Sequence, residues 1–412
     1  MNTPHAFQPP RRPIIAFVAV VLCIPLWFGG TRVAAAEADF ATWLDGVRAE
    51  ALKKGISDEV LGRALGLVAP IKRVIELDRR QPEFTMTLWR YFSWTVNDKR
   101  IARGREMLKK HATLLGRVEK KFGVQARFLV AFWGLETNFG SNFGAFPMVG
   151  AVATLAHDAR RSSFFRAQLI AALQIIQRGD VAHDAKASWA GAMGNMQFIP
   201  TTYRDFAIDF DGDGKRDLWN SLPDVFGSAA NYLKRSGWDG KRTWGREVKL
   251  PKDFDPDHSG LDRKRPLAEW KKLGLRKADG KKLPTVDVDA SLVLPAGMGG
   301  PAFLVYRNFH ATMAWNRSIL YALAIGHLAD RLAGGPALSV KAPKGEKALA
   351  RRDVMEIQRL LTRFGFDTGG ADGVAGPMTR RAIKGFQKSR KLPADGYAGY
   401  GLLERLRTAA SN

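Results

Sequence analysis

The stretch Phe128-Leu129-Val130-Ala131-Phe132-Trp133-Gly134-Leu135-Glu136 decides how the rest of the chain is read. Its apolar side chains fall on nearly every face of a helix, so the pattern predicts a helix packed on all sides at the centre of an α-helical domain. A glutamate closes the run. Flanked by Trp133 and Phe139, its carboxyl is predicted to be desolvated, which favours the neutral form and keeps a proton available near neutral pH for a leaving oxygen. General acid chemistry is one reading of that glutamate. A carboxylate that caps or pairs inside a core is the other, and this stretch alone leaves both open.

Outward from this helix the spacing stays helical. Phe40, Trp43, Leu44 and Val47, then Leu108, Leu114, Leu115 and Val118, recur at helical intervals between lysines and arginines, with few strand-like alternations from Ala38 to about Lys121. A second apolar helix is predicted over 165–178 with Gly179 as its stop, and another after Pro223. Between 240 and 300 the texture changes to Lys, Asp, Pro and Gly, with short alternations at Val286-Asp287-Val288-Asp289 and Leu292-Val293-Leu294; this predicts a small α+β lobe inserted in the helical body. Helical pattern returns from Trp315 to Leu332. Gly334-Gly335-Pro336 opens a linker over 334–350. Residues 351–412 carry their own apolar helix pattern and two Asp-Gly turns, Asp372-Gly373 and Asp395-Gly396, which suggest an internal duplication. The fold class is mainly α.

Composition narrows the function. The chain has 412 residues, 46% hydrophobic and 25% charged, an ordinary globular balance. Lys and Arg number 64 against 40 Asp and Glu, a net charge of +24, which attracts polyanions without saying which. The single cysteine, Cys23, excludes an internal disulfide framework and any Cys-rich zinc site. Residues 1–36 read as a cleavable secretory signal: Arg11-Arg12, an apolar run from Ile14 to Phe28, then Val33-Ala34-Ala35-Ala36. That run is short and interrupted by Pro25, so no lasting transmembrane segment is expected. No His-Glu-x-x-His zinc motif and no Gly-Lys-Ser/Thr phosphate loop is present, and nucleic acid is not an expected partner. His157-Asp158 and His183-Asp184 lack a neighbouring nucleophile motif and read as structural.

A second motif joins the glutamate. Gly191-Ala192-Met193-Gly194-Asn195-Met196-Gln197-Phe198-Ile199-Pro200-Thr201-Thr202-Tyr203 is a glycine-rich loop of the kind that meets a ligand through its backbone. Taken with Gly134-Leu135-Glu136-Thr137-Asn138-Phe139-Gly140, with Tyr306-Arg307-Asn308-Phe309 and with Trp315-Asn316-Arg317-Ser318 through Tyr321, it resembles the B family of lytic murein transglycosylases over about Ala38 to Leu332. The family's Pro-Gly before the glutamine is here Asn195-Met196.

The resemblance implies a lysozyme-like helical catalytic domain over 37–333. It implies cleavage of the β-1,4 bond between N-acetylmuramic acid and N-acetylglucosamine, with a 1,6-anhydromuramyl product. Glu136 would act as acid and then base. Met193, Gln197, Phe198, Tyr203, Asn316 and Tyr321 would bind the saccharide. A hydrolytic muramidase acting on the same bond and a non-catalytic wall-binding scaffold are the alternatives. A glycoside hydrolase ordinarily needs a second carboxylate, and neither motif holds one; the substrate's 2-acetamido group can replace it.

Asp209-Phe210-Asp211-Gly212-Asp213-Gly214-Lys215 follows the first half of a calcium loop, with oxygens at positions one, three and five, glycine at six and Lys215 at seven. Position twelve is Asn220, so Asp224 is the expected closing carboxylate of a longer loop, as in this family. Any Ca²⁺ there is expected to be structural, and none is required for the chemistry. The C-terminal segment, from Ile357-Gln358 through Ala371-Asp372-Gly373, Pro377, Phe386-Gln387 and Asp395-Gly396, resembles the three-helix peptidoglycan-binding domain of wall enzymes. The expected partners are peptidoglycan glycan strands, with cell-wall enzyme complexes as a further class, in the periplasm.

Overall fold

The computed structural model describes residues 30–79, 86–344 and 347–411. The signal segment expected over 1–36 therefore lies largely outside the described residues. Among those described, no helix is long and apolar enough to cross a membrane. The chain folds into helices around one large apolar core, a small sheet with a core of its own, and a C-terminal three-helix unit with a third.

The stretch that opened the argument forms the helix Ala126–Thr137, and Phe128 through Gly134 are all buried. Helices Asp98–Lys110, Ala112–Phe122, Leu222–Arg235 and Ile319–Leu332 pack around it, which is why its sequence shows no polar face. The helix expected over 165–178 is Ser162–Gln177, followed by Gly179 at φ +76°. A short helix, Pro200–Phe206, was not anticipated; Pro200 occupies its first turn, where the missing N–H costs nothing. The helix expected after Pro223 begins one residue earlier, at Leu222, with Ser221 as the capping hydroxyl.

Two strands, β1 (Phe146–Pro147) and β2 (Lys186–Ala187), form a small antiparallel pair beside the helical body. The inserted lobe is a five-stranded antiparallel sheet built from β3 (Gly245–Lys249), β4 (Gly260–Pro266), β5 (Arg276–Lys277), β6 (Asp289–Val293) and β7 (Ala302–Val305), in the order β4-β6-β7-β3-β5. The lobe thus runs a few residues past the expected limit of 300. The alternation at Val286–Val288 does not become a strand; β6 begins at Asp289, where pairing with β4 and β7 becomes available.

In the C-terminal unit the helices are Arg351–Arg363, Pro377–Ser389 and Tyr400–Ser411. The expected duplication is visible in its hydrogen bonds. Buried Gln358 donates to Asp372 Oδ1 at 2.8 Å and accepts Gly373 N–H at 2.8 Å. Buried Gln387 repeats this with Asp395 Oδ1 at 2.7 Å and Gly396 N–H at 2.9 Å. Each half is therefore one helix whose glutamine clasps the Asp-Gly turn that follows.

This unit is seated on the inserted lobe. Asp395 Oδ2 accepts Met298 N–H at 3.0 Å, Lys388 pairs with Asp257, and Lys384 Nζ donates to the carbonyls of Ser259 at 3.3 Å and Pro256 at 3.5 Å. Arg351 also reaches the carbonyl of Arg79 in the helical body at 3.4 Å.

Candidate active site

Glu136 sits in the last turn of the helix Ala126–Thr137, half-buried, and its Oε1 takes two donors. Trp315 Nε1–H donates at 2.9 Å, and the Tyr321 hydroxyl donates to the same oxygen. Burial is the dominant influence on its titration and pushes its pKa up to about 7, against the opposing pull of the Tyr321 and Trp315 hydrogen bonds. Among the described residues no arginine or lysine pairs with Glu136, and no second carboxylate contributes to its titration. Glu136 is thus paired by hydrogen bonds to an indole and a phenol rather than by an ion pair.

The two donors are held from different elements. Ser318 Oγ caps the helix Ile319–Leu332 by accepting Tyr321 N–H at 3.3 Å, which sets the start of the turn that carries Tyr321. Burial and the neighbouring carboxylate raise the Tyr321 phenol well above its ordinary value, so it remains a donor at every working pH. The Trp315 indole is wedged among Phe132, Phe198 and Tyr232, with ring centroids at 4.6, 5.2 and 5.1 Å. Tyr232 fixes that wedge by donating its hydroxyl to the carbonyl of Ala314 at 2.8 Å.

The glycine-rich loop closes on itself. Met193 N–H donates to Phe198 O at 2.9 Å and Phe198 N–H to Met193 O at 3.0 Å, a bridge that leaves Gln197 near the tip with φ +49°. A non-glycine residue in the left-handed region at a loop tip is strained, and such strain concentrates at functional sites. Gln197 Nε2 donates to Gly194 O at 3.1 Å and Phe143 O at 3.5 Å; its side-chain oxygen has no protein partner among the described residues. Gly194 is required at φ +63°, because a Cβ there would lie 2.6 Å from the carbonyl of Leu218.

Of the residues expected to bind saccharide, Tyr321 is in direct contact with Glu136, the expected catalytic residue. Asn316 is exposed beside Trp315, where its Oδ1 accepts Ser318 N–H at 2.9 Å. Three others are corrected. Met193 and Tyr203 have no exposed surface and Phe198 almost none, so none of these side chains can face a sugar. Met193 and Phe198 supply the loop's bridge and Phe198 backs Trp315. Tyr203 donates to the carbonyl of Arg216, tying the helix Pro200–Phe206 to the acidic loop.

Two residues escaped the sequence reading. Trp315 was named only as part of the late aromatic segment, and nothing in its spacing indicates that its N–H reaches a glutamate 179 positions away. Asn195, the departure from the family's Pro-Gly, is a hub. Its Oδ1 accepts Trp133 Nε1–H at 2.7 Å, its amide donates to Leu218 O at 3.1 Å and Trp219 O at 2.8 Å, and its own carbonyl accepts the Thr137 hydroxyl at 2.9 Å. The glutamate's helix, the glutamine's loop and the end of the acidic loop are thereby joined. Its burial and its partners are visible only in the fold; the sequence marks it solely as a departure from the family's pattern.

The acidic loop gathers Asp209, Asp211, Asp213 and Asp224, each offering an oxygen within 4.8 Å of the others. Asp209 accepts Gly212 N–H at 2.6 Å and Gly214 N–H at 2.8 Å, bonds that hold its carboxyl below the usual range. Asp224 is fully buried and receives Phe210 N–H at 2.7 Å and Asp217 N–H at 2.8 Å, which brings the two sides of the loop together. Lys215 donates its N–H to Asp213 at 2.8 Å, and its ammonium takes no part. A set of four carboxylate oxygens on a glycine-bearing loop is the donor chemistry of a hard divalent cation.

With this geometry in place, the comparisons with known proteins decide the family. Residues 39–330 match the family model of the transglycosylase SLT domain, and residues 350–406 match that of a peptidoglycan-binding domain. The chain belongs to the SLT transglycosylase family. Among solved structures, this transglycosylase resembles SltB3 of Pseudomonas aeruginosa in complex with NAG-anhNAM-pentapeptide, with a TM-score of 0.85 and 46% identity over 89% of this chain and 99% of that one. It also resembles Slt35 of Escherichia coli in complex with calcium, with a TM-score of 0.62 and 27% identity over 72% of this chain and 93% of the other. Membrane-bound lytic murein transglycosylase B of Escherichia coli K12 is 29% identical over 258 residues, 59% of this chain and 67% of that protein.

Proposed function

We propose that this transglycosylase cleaves the β-1,4 bond between N-acetylmuramic acid and N-acetylglucosamine in peptidoglycan and leaves a 1,6-anhydromuramyl end. One observation carries the proposal: a lone carboxyl raised to about neutrality, with both protein donors on a single oxygen. Because Oε1 accepts from Trp315 and Tyr321, the acidic proton resides on Oε2, which has no protein partner among the described residues. Oε2–H protonates the glycosidic oxygen, and the N-acetylglucosamine leaves with its 4-hydroxyl. The muramyl 2-acetamido oxygen covers C1 as that bond breaks, since no second carboxylate is there to do so. The ionised Glu136 then takes the proton of the muramyl 6-hydroxyl, and O6 closes on C1 as the acetamido oxygen withdraws. The proton lent is returned, and no water is consumed.

Gln197, Asn316 and Tyr321 hold the saccharide, the first through its unpartnered oxygen and the second from the exposed turn after Trp315. Asp209, Asp211, Asp213 and Asp224, with the Lys215 carbonyl, would hold a Ca²⁺ ion. When bound it supplies structural charge balance, not chemistry. Its support is the donor set, together with the calcium complex of the Escherichia coli relative. The C-terminal domain holds the enzyme to the wall, which places it in the periplasm. Mass spectrometry of digested sacculi tests the reaction. Anhydro ends are expected; ends carrying the elements of water would favour a muramidase, and an unchanged effect of Glu136→Gln would leave only a scaffold.

A further inference from the structure

The C-terminal domain carries a cleft that the family assignment does not resolve to residues. It has a volume of about 320 Å³ and is lined by Gly365, Phe366, Asp367, Met378, Arg381, Ala382 and Gly385. It lies between the turn after the helix Arg351–Arg363 and the outer face of the helix Pro377–Ser389. Its floor is small because Gly385 has no side chain: a Cβ there would meet the Phe366 ring at 2.8 Å. Phe366 is itself braced edge-on against Phe386 at 6.2 Å, so this wall is fixed. The opposite wall is Met378, a large apolar side chain that is 44% exposed. The cleft's one cation, Arg381, is exposed and has no hydrogen bond or ion pair among the described residues. Arg380, the next residue back, donates to Ala375 O at 3.1 Å. Lys384 and Lys388, which seat the domain on the inserted lobe, stand three and seven positions on from Arg381 along the same helix, and neither lines the cleft.

We propose that this cleft binds the stem peptide of peptidoglycan, with a peptide carboxylate on Arg381 and small alanine-type side chains between Phe366 and Met378. The proposal rests on the reading of this domain as a wall-binding module and assigns its ligand class. A stem peptide, which carries both carboxylates and amines, meets both charges of the lining, Arg381 and Asp367. Guanidinium offers a forked pair of donors to a carboxylate, and the walls suit methyl groups. A glycan would bring many hydroxyls against Phe366 and Met378, leaving only Arg381 and Asp367 to receive them, and unpaired hydroxyls are costly to bury.

The test uses the full chain in a Glu136→Gln background, so that the sacculi stay intact, and measures sedimentation with native sacculi and with sacculi stripped of stem peptides by an amidase. Arg381→Glu and, separately, Met378→Ser are expected to weaken binding to native sacculi about tenfold and to leave binding to stripped sacculi unchanged. Arg359→Glu, an equal charge change at an exposed position elsewhere on the domain, is the control and is expected to have little effect. Equal loss on native and stripped sacculi would make the cleft a glycan site and overturn the proposal. So would equal loss in the Arg359→Glu control, which would reduce the effect to net charge. The underlying reading fails separately: if removing residues from Gly334 onward leaves sedimentation unchanged, the domain is not a wall anchor; if removal matters but the cleft variants bind normally, only the cleft assignment is lost.

Discussion

Glu136 and the Asp209 loop contain the same functional group in opposite surroundings. The glutamate stands among rings, with two side-chain donors on one oxygen, and is raised to about 7. Asp209 stands in a glycine-bearing loop whose backbone N–H groups converge on it, and is lowered. Desolvation outweighs the donors at Glu136, and backbone amides outweigh desolvation at Asp209, while Asp224, buried in the same cluster, is raised by desolvation. The first carboxyl is suited to lending a proton. The second, with three companions, is suited to holding a cation and unsuited to acid catalysis near neutral pH.

The largest expected effect separates the two regions outright. Glu136→Gln should reduce anhydromuropeptide release by roughly 10³-fold or more, measured by chromatography of digested sacculi. Millimolar Ca²⁺ is expected to raise the thermal stability of the parent protein, and Asp224→Asn should remove that gain while leaving the chemistry in place. The check is scanning calorimetry with and without a chelator, where a shift of about 5 °C in the parent would vanish in the variant. No calcium-dependent shift in the parent would count against an ion site.

Tyr321→Phe sharpens the contrast by altering only the surroundings. Its hydroxyl favours the ionised glutamate, so its loss should raise the Glu136 pKa further. The general acid is lost as pH rises through that value. The alkaline limb of the rate profile, near pH 7 in the parent, should therefore move upward while kcat falls about tenfold. A limb that stayed in place would mean that another group sets it.

The smallest effect is on stability. A carboxyl whose folded pKa lies above its unfolded value stabilises the fold at low pH, and that contribution disappears as pH rises from about 4.5 to about 7. Glu136→Gln should consequently match the parent below pH 4 and exceed it above pH 7, by on the order of 2 kcal/mol in denaturant unfolding. An advantage independent of pH would point to packing instead.

Much of this was legible from periodicity. The helix Ala126–Thr137 announced itself because burial on all sides erases the polar face, and the duplicated Asp-Gly turns of the last domain were visible as text. The glutamine clasp that explains the duplication was not, because Gln358 and Gln387 look like ordinary polar helix residues until their burial is known. The sequence grouped Gln197, Tyr321 and Tyr203, whereas the structure puts Tyr321 on Glu136, Gln197 near its loop tip and Tyr203 in the core. Motif proximity does not report side-chain direction, and Tyr203 points through the helix Pro200–Phe206 toward Arg216. Trp315 was missed for the complementary reason: a long-range hydrogen bond leaves no local pattern. Edges of the inserted lobe were missed because strand limits depend on which partners are within reach.

The seating of the last domain through Asp395, Lys384 and Lys388 changes what the segment 334–350 has to accomplish. A floating tether would let Glu136 sweep a sphere whose radius grows with linker length. A latched one behaves like a pair of compasses with the hinge tightened: wherever the point is planted in the wall, the blade falls at one reach. Lengthening the linker would leave that reach alone, whereas reversing the charge of Lys388 would weaken one of the contacts that hold it.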